Sequence, residues 1–226
     1  MRVVLAHCRP VMIQGTFVDC IANLLADIKF AEIRVDYIKC ESSVIHYARN
    51  NVVKEALKSG NEPPDYFMWV DTDTEWTPQD FYRLLEHGGD GKLIVGANYP
   101  KRYPPHTATA GRLNREKHIY EFLSLKDIRN GGIVQVDSLG GGFILVHRSV
   151  YETVPYPWYE FGYITGPDYK HPWDLIDIGE DVNFCHRAMK AGFEMWADLD
   201  LDIGHYFLKK LTKQDMLEAY KEDARK

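Results

Sequence analysis

The sequence contains no long apolar run, few cysteines and no excess of positive charge. No stretch of its 226 residues approaches the roughly 18 consecutive apolar residues of a membrane helix, so the sequence predicts no membrane span. The segment from Met1 to His7 is too short an apolar run for a signal peptide and is typical of a first strand. We therefore expect a soluble, cytoplasmic protein.

The cysteine spacing and the charge exclude further classes. Cys8, Cys20, Cys40 and Cys185 are far apart and form no CxxC pair, so neither a zinc knuckle nor a disulfide framework is indicated. We expect reduced thiols. The formal net charge of −6 provides no general basic field, which makes a nucleic-acid polymer a poor candidate for the main ligand.

Apolar residues, by contrast, are sufficient for a core and follow a regular order. They make up 45% of the chain, enough for one large domain or two small ones. In the first half, short strand patterns alternate with helix patterns, which is typical of a doubly wound parallel sheet. The predicted strands are Arg2–His7, Ile33–Ile38, Tyr66–Val70 and Leu93–Ala97, and the predicted helices are Phe17–Ile28, Ser43–Leu57 and one that begins at Pro78.

The second half has a different pattern. His118–Leu125 and Gly132–Val146 resemble longer strands, and the intervening Asn130-Gly131-Gly132 favours a hairpin. We therefore predict an α/β fold in a single domain over residues 1–226. Its mostly parallel central sheet has helices on both sides and a small antiparallel annex.

Two carboxylates end the most apolar predicted strand, Tyr66–Val70, which is followed by Asp71, Thr72 and Asp73. Residues i and i+2 of an extended segment point the same way, so both aspartates can face one hard cation. In an open α/β sheet this edge is also where ligands bind. Two protein oxygens leave coordination positions open, which suits Mg²⁺ or Mn²⁺ bridging to phosphates. The alternative is two solvated aspartates in a turn.

Three adjacent glycines, Gly140, Gly141 and Gly142, lie between two strand-like segments. They interrupt a sheet at a point where no side chain is wanted, so a flat ligand could lie against their backbone. A β-bulge without a ligand is the alternative.

An acidic pair opens a later predicted helix. Apolar residues at helical spacing follow Glu180 and Asp181, and Gly192 fits the end of that helix. One of the two carboxylates could accept a proton from an incoming hydroxyl. Helix capping and complementarity to the helix dipole are the alternative.

His205 follows a segment in which apolar residues alternate with Asp198, Asp200 and Asp202. The alternation predicts an edge strand with these aspartates on its solvent face; a calcium site is the weaker alternative. At the end of that strand, His205 could reach the aspartates after Val70 as a neutral imidazole metal ligand. A packed or solvated histidine is the other interpretation.

In this order, these motifs resemble those of GT-A fold glycosyltransferases, in particular family 2-like members. The matching elements are a DxD at a strand end, a glycine loop, an acidic pair at a helix start and a histidine after the next strand. Ala48-Arg49-Asn50 resembles the Arg-Asn of the helix before the DxD strand. The resemblance extends from Arg2 to about Tyr206.

The resemblance implies transfer of a sugar from a nucleoside diphosphate sugar, with a UDP-sugar as the best guess, to an acceptor hydroxyl. It implies that Asp71 and Asp73 of the DxD motif, with His205, hold Mn²⁺ or Mg²⁺ against the diphosphate. Arg9 and Arg49 are the expected contacts to the nucleotide. Thr72, between the two aspartates of the DxD motif, is expected at the same binding site.

For the chemistry, the resemblance implies an inverting transfer with Asp181 as base and Glu180 orienting hydroxyls. A retaining outcome stays open, as does a base role for Glu180. The chain then divides into a nucleotide-binding half at 1–100, an acceptor-binding and catalytic half at 101–210 and a C-terminal helical tail at 211–226.

The acceptor is not identified by these residues. Gly141, Gly142, Trp173 and Asp174 are the expected substrate contacts. Trp173 belongs to an aromatic cluster whose rings suit sugar faces or bases, although a core or a homodimer interface has the same composition. A glycan, a protein, a small molecule and a modified base all remain open as acceptors.

Two other functions stay open. A nucleotidyltransferase or nucleotide-sugar pyrophosphorylase would have a glycine- and lysine-bearing loop after the first strand, where this chain has Cys8-Arg9-Pro10-Val11-Met12. A nucleotide-sugar-binding module without catalysis is the other alternative.

Overall fold

A computed structural model describes residues 1–9, 14–28, 32–58, 62–166 and 168–207, without the side chains of Arg9 and Trp173. The predicted C-terminal tail, 211–226, lies outside the described residues. In the described part, no helix has both the length and the apolar character needed to cross a membrane.

A seven-stranded sheet forms the centre of the fold. Its strands are β1 (Arg2–Arg9), β2 (Arg34–Glu41), β3 (Tyr66–Val70), β5 (Ile94–Ala97), β8 (Ile133–Val136), β9 (Phe143–His147) and β12 (Met195–Asp198). Their order is β2-β1-β3-β9-β5-β12-β8. Only β9 and β8 run against the others, so five of the seven share one direction. The predicted mostly parallel sheet is confirmed.

Helices cover both faces of this sheet. They are α1 (Gly15–Asp27), α2 (Ile45–Lys58), α3 (Pro78–Gly89), α5 (Arg148–Thr153) and α6 (Glu180–Lys190), whereas α4 (Leu125–Asn130) has no buried residue. Val3 and Leu5 of β1 share a core with α1 and α3, whereas Val4 and Ala6 share one with α2, α5 and α6. Because alternate residues of a strand face opposite sides, one apolar strand supplies both cores. The predicted single α/β domain is confirmed.

Three small antiparallel sheets complete the fold as the predicted annex. They pair β4 (Thr74–Glu75) with β13 (Gly204–His205), β6 (Gly111–Asn114) with β7 (Ile119–Phe122), and β10 (Gly162–Thr165) with β11 (Leu175–Ile178). In the first pair His205 lies opposite Thr74, so the chain returns to the DxD turn near its end.

The predicted hairpin around Asn130-Gly131-Gly132 is wrong. Ser124 and Asp127 form a capping box that starts α4, so residues 125–130 are helical. The strand after this turn, β8, pairs with β12, and β7 pairs with β6. Gly140–Gly142 therefore connects two strands that are not neighbours in the sheet, β8 and β9, and does not interrupt one.

The predicted edge strand with exposed aspartates is also wrong. β12 ends at Asp198 and lies between β5 and β8. Asp198 is fully buried, where it accepts hydrogen bonds from Arg83 and is 2.8 Å from Nε2 of His87. A buried carboxylate needs such partners, and α3 supplies both.

Candidate functional site

The DxD turn and the glycine loop meet at one edge of the sheet. Because β9 is antiparallel to β3, the start of β9 lies beside the end of β3, and Val70 pairs with Phe143. The backbone N–H of Asp71 donates to the carbonyl of Gly142 at 2.9 Å. Residues separated by about 70 positions are thereby fixed next to each other.

A cavity of about 640 Å³ opens at this edge, and we call it the central cavity. Asp71, His205 and the pair Glu180–Asp181 all line it. The loop after β5 and the glycine loop supply further lining residues: Tyr99, Lys101, Arg102, Tyr103, Pro104, Pro105, Gly140 and Gly141. The structure therefore brings together the DxD turn, the glycine loop, the acidic pair and His205. Arg49 of the Arg-Asn motif lines the same cavity.

Arg49 lies under this cavity and connects its acidic groups. The residue is 1% exposed. Its Nη2 donates to Oδ1 of Asp71 at 3.1 Å, and its Nε is 3.4 Å from Oε1 of Glu180. Its Nη1 donates to the carbonyl of Gly141 at 3.2 Å. The guanidinium thus holds the DxD turn, the acidic pair and the glycine loop in one arrangement.

The charges in this arrangement are strongly perturbed. Burial lowers the pKa of Arg49, but Asp71, Cys8, Glu180 and Tyr159 together outweigh it and hold that pKa well above its usual value. Burial raises the pKa of Asp71 and of Glu180, and the Arg49 cation only partly opposes it. Two carboxylates therefore share one buried cation, and Asp73 and Asp181 add further negative charge at the same edge.

The glycine loop has no room for side chains of its own because other side chains of the protein pack against its backbone. A Cβ atom at Gly141 would lie 2.6 Å from Nη2 of Arg49, and one at Gly142 would lie 2.6 Å from the hydroxyl of Tyr99. The N–H of Gly142 also donates to that hydroxyl at 2.7 Å. The absence of side chains thus serves the packing of Arg49 and Tyr99, while Gly141 keeps its backbone at the cavity.

The second aspartate of the DxD motif is held by cations from two other segments. Oδ2 of Asp73 contacts Nη2 of Arg102 and lies 3.6 Å from Nε2 of His205. Nδ1 of His205 is 2.8 Å from the carbonyl of Pro100, to which it donates, since that oxygen only accepts. The predicted meeting of His205 with the DxD turn is thus seen.

The pair Asp73–His205 has the pKa shifts of an ion pair. The neighbouring Asp73 carboxylate raises the pKa of His205. Burial raises the pKa of Asp73, but His205 and the charge of Arg102 outweigh it and lower that pKa overall.

Whether these residues fit a divalent ion depends on the two arginines. Two carboxylates and an imidazole at one edge are suitable donors for Mn²⁺ or Mg²⁺. Among the described residues, however, no three His, Cys, Asp or Glu side chains are grouped closely enough to hold an ion. Arg49 engages Asp71, and Arg102 engages Asp73. The donor types fit, and Arg102 must leave Oδ2 of Asp73 before that oxygen can bind an ion.

Asp181 is the more accessible member of the acidic pair. Its Oδ2 accepts from the N–H of Gly141 at 3.2 Å, and its Oδ1 accepts from the N–H of Val182 at 2.8 Å. Glu180 is only 8% exposed and lies beside Arg49. Both residues begin α6, as predicted. The N–H of Gly141 thus holds one carboxylate oxygen of Asp181 next to the glycine loop, while Glu180 is more buried.

The remaining predicted site residues lie elsewhere or outside the described part. Thr72 is 9% exposed in the turn between the two aspartates. Asp174 accepts from the N–H groups of two preceding residues and borders a different cavity. Arg9 ends β1, but its side chain and that of Trp173 are not described. Tyr99 was missed because no sequence motif marks a single tyrosine after a strand.

Comparisons with known proteins extend the fold assignment. No protein-family model matches the chain, and no curated protein matches its sequence. Among solved structures, A197 from STIV is similar with a TM-score of 0.60 and 16% identity over 92% of this chain and 87% of that one. GalNAc-T7, solved with UDP, GalNAc and Mn²⁺, is similar with a TM-score of 0.58 and 10% identity over 92% of this chain.

The chain spans 44% of that GalNAc-T7 chain, less than half its length. At these identities the likeness concerns the fold. The chain has a GT-A-like fold, a Rossmann-like α/β domain with a mostly parallel sheet, as predicted.

Proposed function

We propose that this protein is a glycosyltransferase that moves a sugar from a nucleoside diphosphate sugar to an acceptor hydroxyl. One observation carries the proposal. Asp71, His205 and the pair Glu180–Asp181 line one cavity at the ligand-binding edge of a GT-A-like fold. Its volume of about 640 Å³ lies within the usual range for small-molecule sites.

A UDP-sugar is the proposed donor. GalNAc-T7, which has a similar fold, was solved with UDP and GalNAc. The nucleotide would occupy the half formed by residues 1–100, with Arg9 near the end of β1. Because the Arg49 guanidinium already contacts Asp71 and Gly141, we propose that Arg49 acts on the donor by positioning those groups.

Asp71, Asp73 and His205 are the residues that would hold a divalent ion, Mn²⁺ or Mg²⁺. When bound, such an ion neutralises charge on the departing diphosphate. Once Arg102 leaves Asp73, Arg102 and the neighbouring Lys101 can contact the diphosphate from the loop after β5, because both line the central cavity.

Asp181 is the proposed base. It would accept the proton of the acceptor hydroxyl as the acceptor oxygen bonds to the anomeric carbon. The bond from that carbon to the diphosphate oxygen breaks with its electron pair leaving on the diphosphate. Glu180, which is buried against Arg49, would orient hydroxyl groups. Attack opposite the leaving group gives inversion.

The test is transfer by Asp181→Asn with Asp90→Asn as the matched control. Asp90 is an exposed residue at the end of α3, away from the cavity. We expect Asp181→Asn to lower turnover about a hundredfold or more with donor affinity little changed, and Asp90→Asn to behave like the parent. Near-normal transfer by Asp181→Asn with loss in Glu180→Gln would move the base to Glu180.

Two further readouts complete this test. NMR of the anomeric configuration of the product separates inversion from retention. A thermal shift produced by nucleotide sugars without any release or transfer of sugar would instead indicate a binding module without catalysis.

A further inference from the structure

A second cavity, of about 450 Å³, lies between the β6–β7 hairpin, β10 and α6, and we call it the basic cavity. Arg115, His118, His186 and Lys190 line it, and none of the described residues that line it is acidic. None of the motifs in the sequence includes these residues. Four basic side chains around one concave surface are the feature to be explained.

Two elements lead from the central cavity to the basic cavity. Phe122 of β7 lines the first. Tyr120 lies two residues earlier on the same face of β7, and its hydroxyl is 2.9 Å from Nδ1 of His186 at the second. Likewise, α6 carries Asp181 of its first turn in the central cavity and His186 and Lys190 in the basic one.

Helix geometry gives the separation along α6. At 1.5 Å per residue, the backbone of His186 lies about 8 Å along the helix axis from that of Asp181, and that of Lys190 about 14 Å. A small oligosaccharide spans this axial separation, but it must also curve around α6, because at 3.6 residues per turn Lys190 lies about half a turn around the axis from Asp181.

The basic side chains of this cavity lack carboxylate partners among the described residues. In the part of the chain that the structure describes, no carboxylate forms an ion pair with Arg115, His118 or Lys190, whereas Arg112 on the same hairpin pairs with Asp127. Burial and the charge of Lys190 lower the pKa of His186, so its surroundings disfavour one more cation. An anion would relieve that repulsion.

An aromatic surface accompanies the charge. Tyr163 lines the basic cavity and is 63% exposed. An exposed tyrosine ring suits stacking on a sugar face. Because the chain as a whole carries a net charge of −6, this local group of basic residues fits a single anionic group better than a nucleic-acid polymer.

We propose that the basic cavity binds an anionic group of the acceptor, so that the acceptor is a saccharide carrying a phosphate, sulfate or carboxylate. Arg115 and Lys190 pair with the anion, and Tyr163 contacts the adjoining sugar ring. This inference rests on the proposed function for its acceptor role, while anion binding is testable without it.

The test is an NMR titration of the full chain with glucose 6-phosphate, inorganic phosphate and glucose at constant ionic strength, with and without saturating UDP and Mg²⁺. We expect both phosphates to shift the imidazole signals of His118 and His186 and the amide of Thr165. Glucose alone should shift these signals far less.

The matched variants are Arg115→Gln/Lys190→Gln in the basic cavity and Lys126→Gln/Arg129→Gln on α4, both on exposed residues with the same change of charge. The first should weaken glucose 6-phosphate binding at least about tenfold, and the second should leave it unchanged. Equal binding by both variants, or shifts confined to the central cavity, would overturn the inference. UDP binding without phosphate shifts would refute this inference alone, and phosphate shifts without UDP binding would refute the proposed donor alone.

Discussion

Arg102 contacts the same oxygen of Asp73, Oδ2, that lies 3.6 Å from Nε2 of His205. The ion pair of Arg102 with Asp73 therefore places a cation from the protein itself at the DxD turn. Arg102 thus competes with a divalent ion for this oxygen of Asp73.

This competition predicts the effect of Arg102→Gln on metal binding. Arg102 is 41% exposed, and such a pair contributes about 0.2–1 kcal/mol. Its removal should raise the Mn²⁺ affinity of the donor-free protein up to about fivefold, as measured by electron paramagnetic resonance. Transfer should fall, because the diphosphate loses a cation. Arg129→Gln, on α4, is the control, and an unchanged Mn²⁺ affinity in Arg102→Gln would show that the contact does not compete.

Arg49 should be a major determinant of stability. Arg49→Met leaves Asp71 and Glu180 without their shared cation, and we expect a loss of about 2–4 kcal/mol in the free energy of unfolding. The value lies below that of a fully buried pair because Asp71 keeps 29% exposure. Urea denaturation measures it.

Arg34→Met is the matched control for this variant. Arg34 has a side chain that is 64% exposed and pairs with Asp36, so its loss should change stability by no more than about 1 kcal/mol. Equal stability of the two variants would contradict a bridging role for Arg49.

The glycine loop makes a separate prediction. Gly141→Ala would place a Cβ atom 2.6 Å from Nη2 of Arg49, and relieving that overlap should cost about 1–3 kcal/mol of stability. Gly15→Ala is the control, since nothing lies within 4 Å of its Cβ position. Calorimetry should give a lower melting temperature for Gly141→Ala only. A melting temperature equal to that of the parent would mean that Arg49 moves aside at little cost.

The pKa of His186 should lie below its usual value of 6.5 because of burial and the charge of Lys190. The groups that face it are Lys190, the hydroxyl of Tyr120 and the side chains Arg115 and His118. In an NMR titration, Lys190→Gln should raise this pKa. The same pKa in Lys190→Gln and in the parent would contradict the assigned charge effect.

The sign of the pH effect on stability follows from this shift. Between the folded-state pKa of His186 and 6.5, the unfolded chain binds more protons at this residue than the folded one. The contribution of His186 to the free energy of unfolding is therefore complete above about pH 6.5 and is lost as the pH falls through the folded-state pKa of His186. Lys126→Gln is the control that should leave the pKa unchanged.

Local sequence patterns were sufficient for the strands and helices of the first half. Apolar runs predicted β1 and β3, and Pro78 predicted the start of α3. The ordered motifs also predicted that His205 returns to the DxD turn. These features depend on residues close in the sequence or on a fixed motif order.

The failures concern pairings between distant segments. Asn130-Gly131 is a strong turn signal, but it follows a helix capped by Ser124, and the strand after it pairs with β12, about 60 residues away. Asp198 alternates with apolar residues as an exposed strand residue would, yet it is buried because Arg83 and His87 of α3 supply its partners. Similarly, no local pattern indicates that Tyr99 and Arg49 pack against the glycine loop.

Release of free sugar from a panel of nucleoside diphosphate sugars, with Mn²⁺ and with EDTA, tests the central claim most directly. The parent should release sugar from a UDP-sugar with Mn²⁺, and release should stop in EDTA and in Asp73→Ala, whose melting temperature should stay close to that of the parent. Release that continues unchanged in EDTA and in Asp73→Ala, or neither release nor binding of any donor, would contradict a glycosyltransferase site at Asp71, Asp73 and His205.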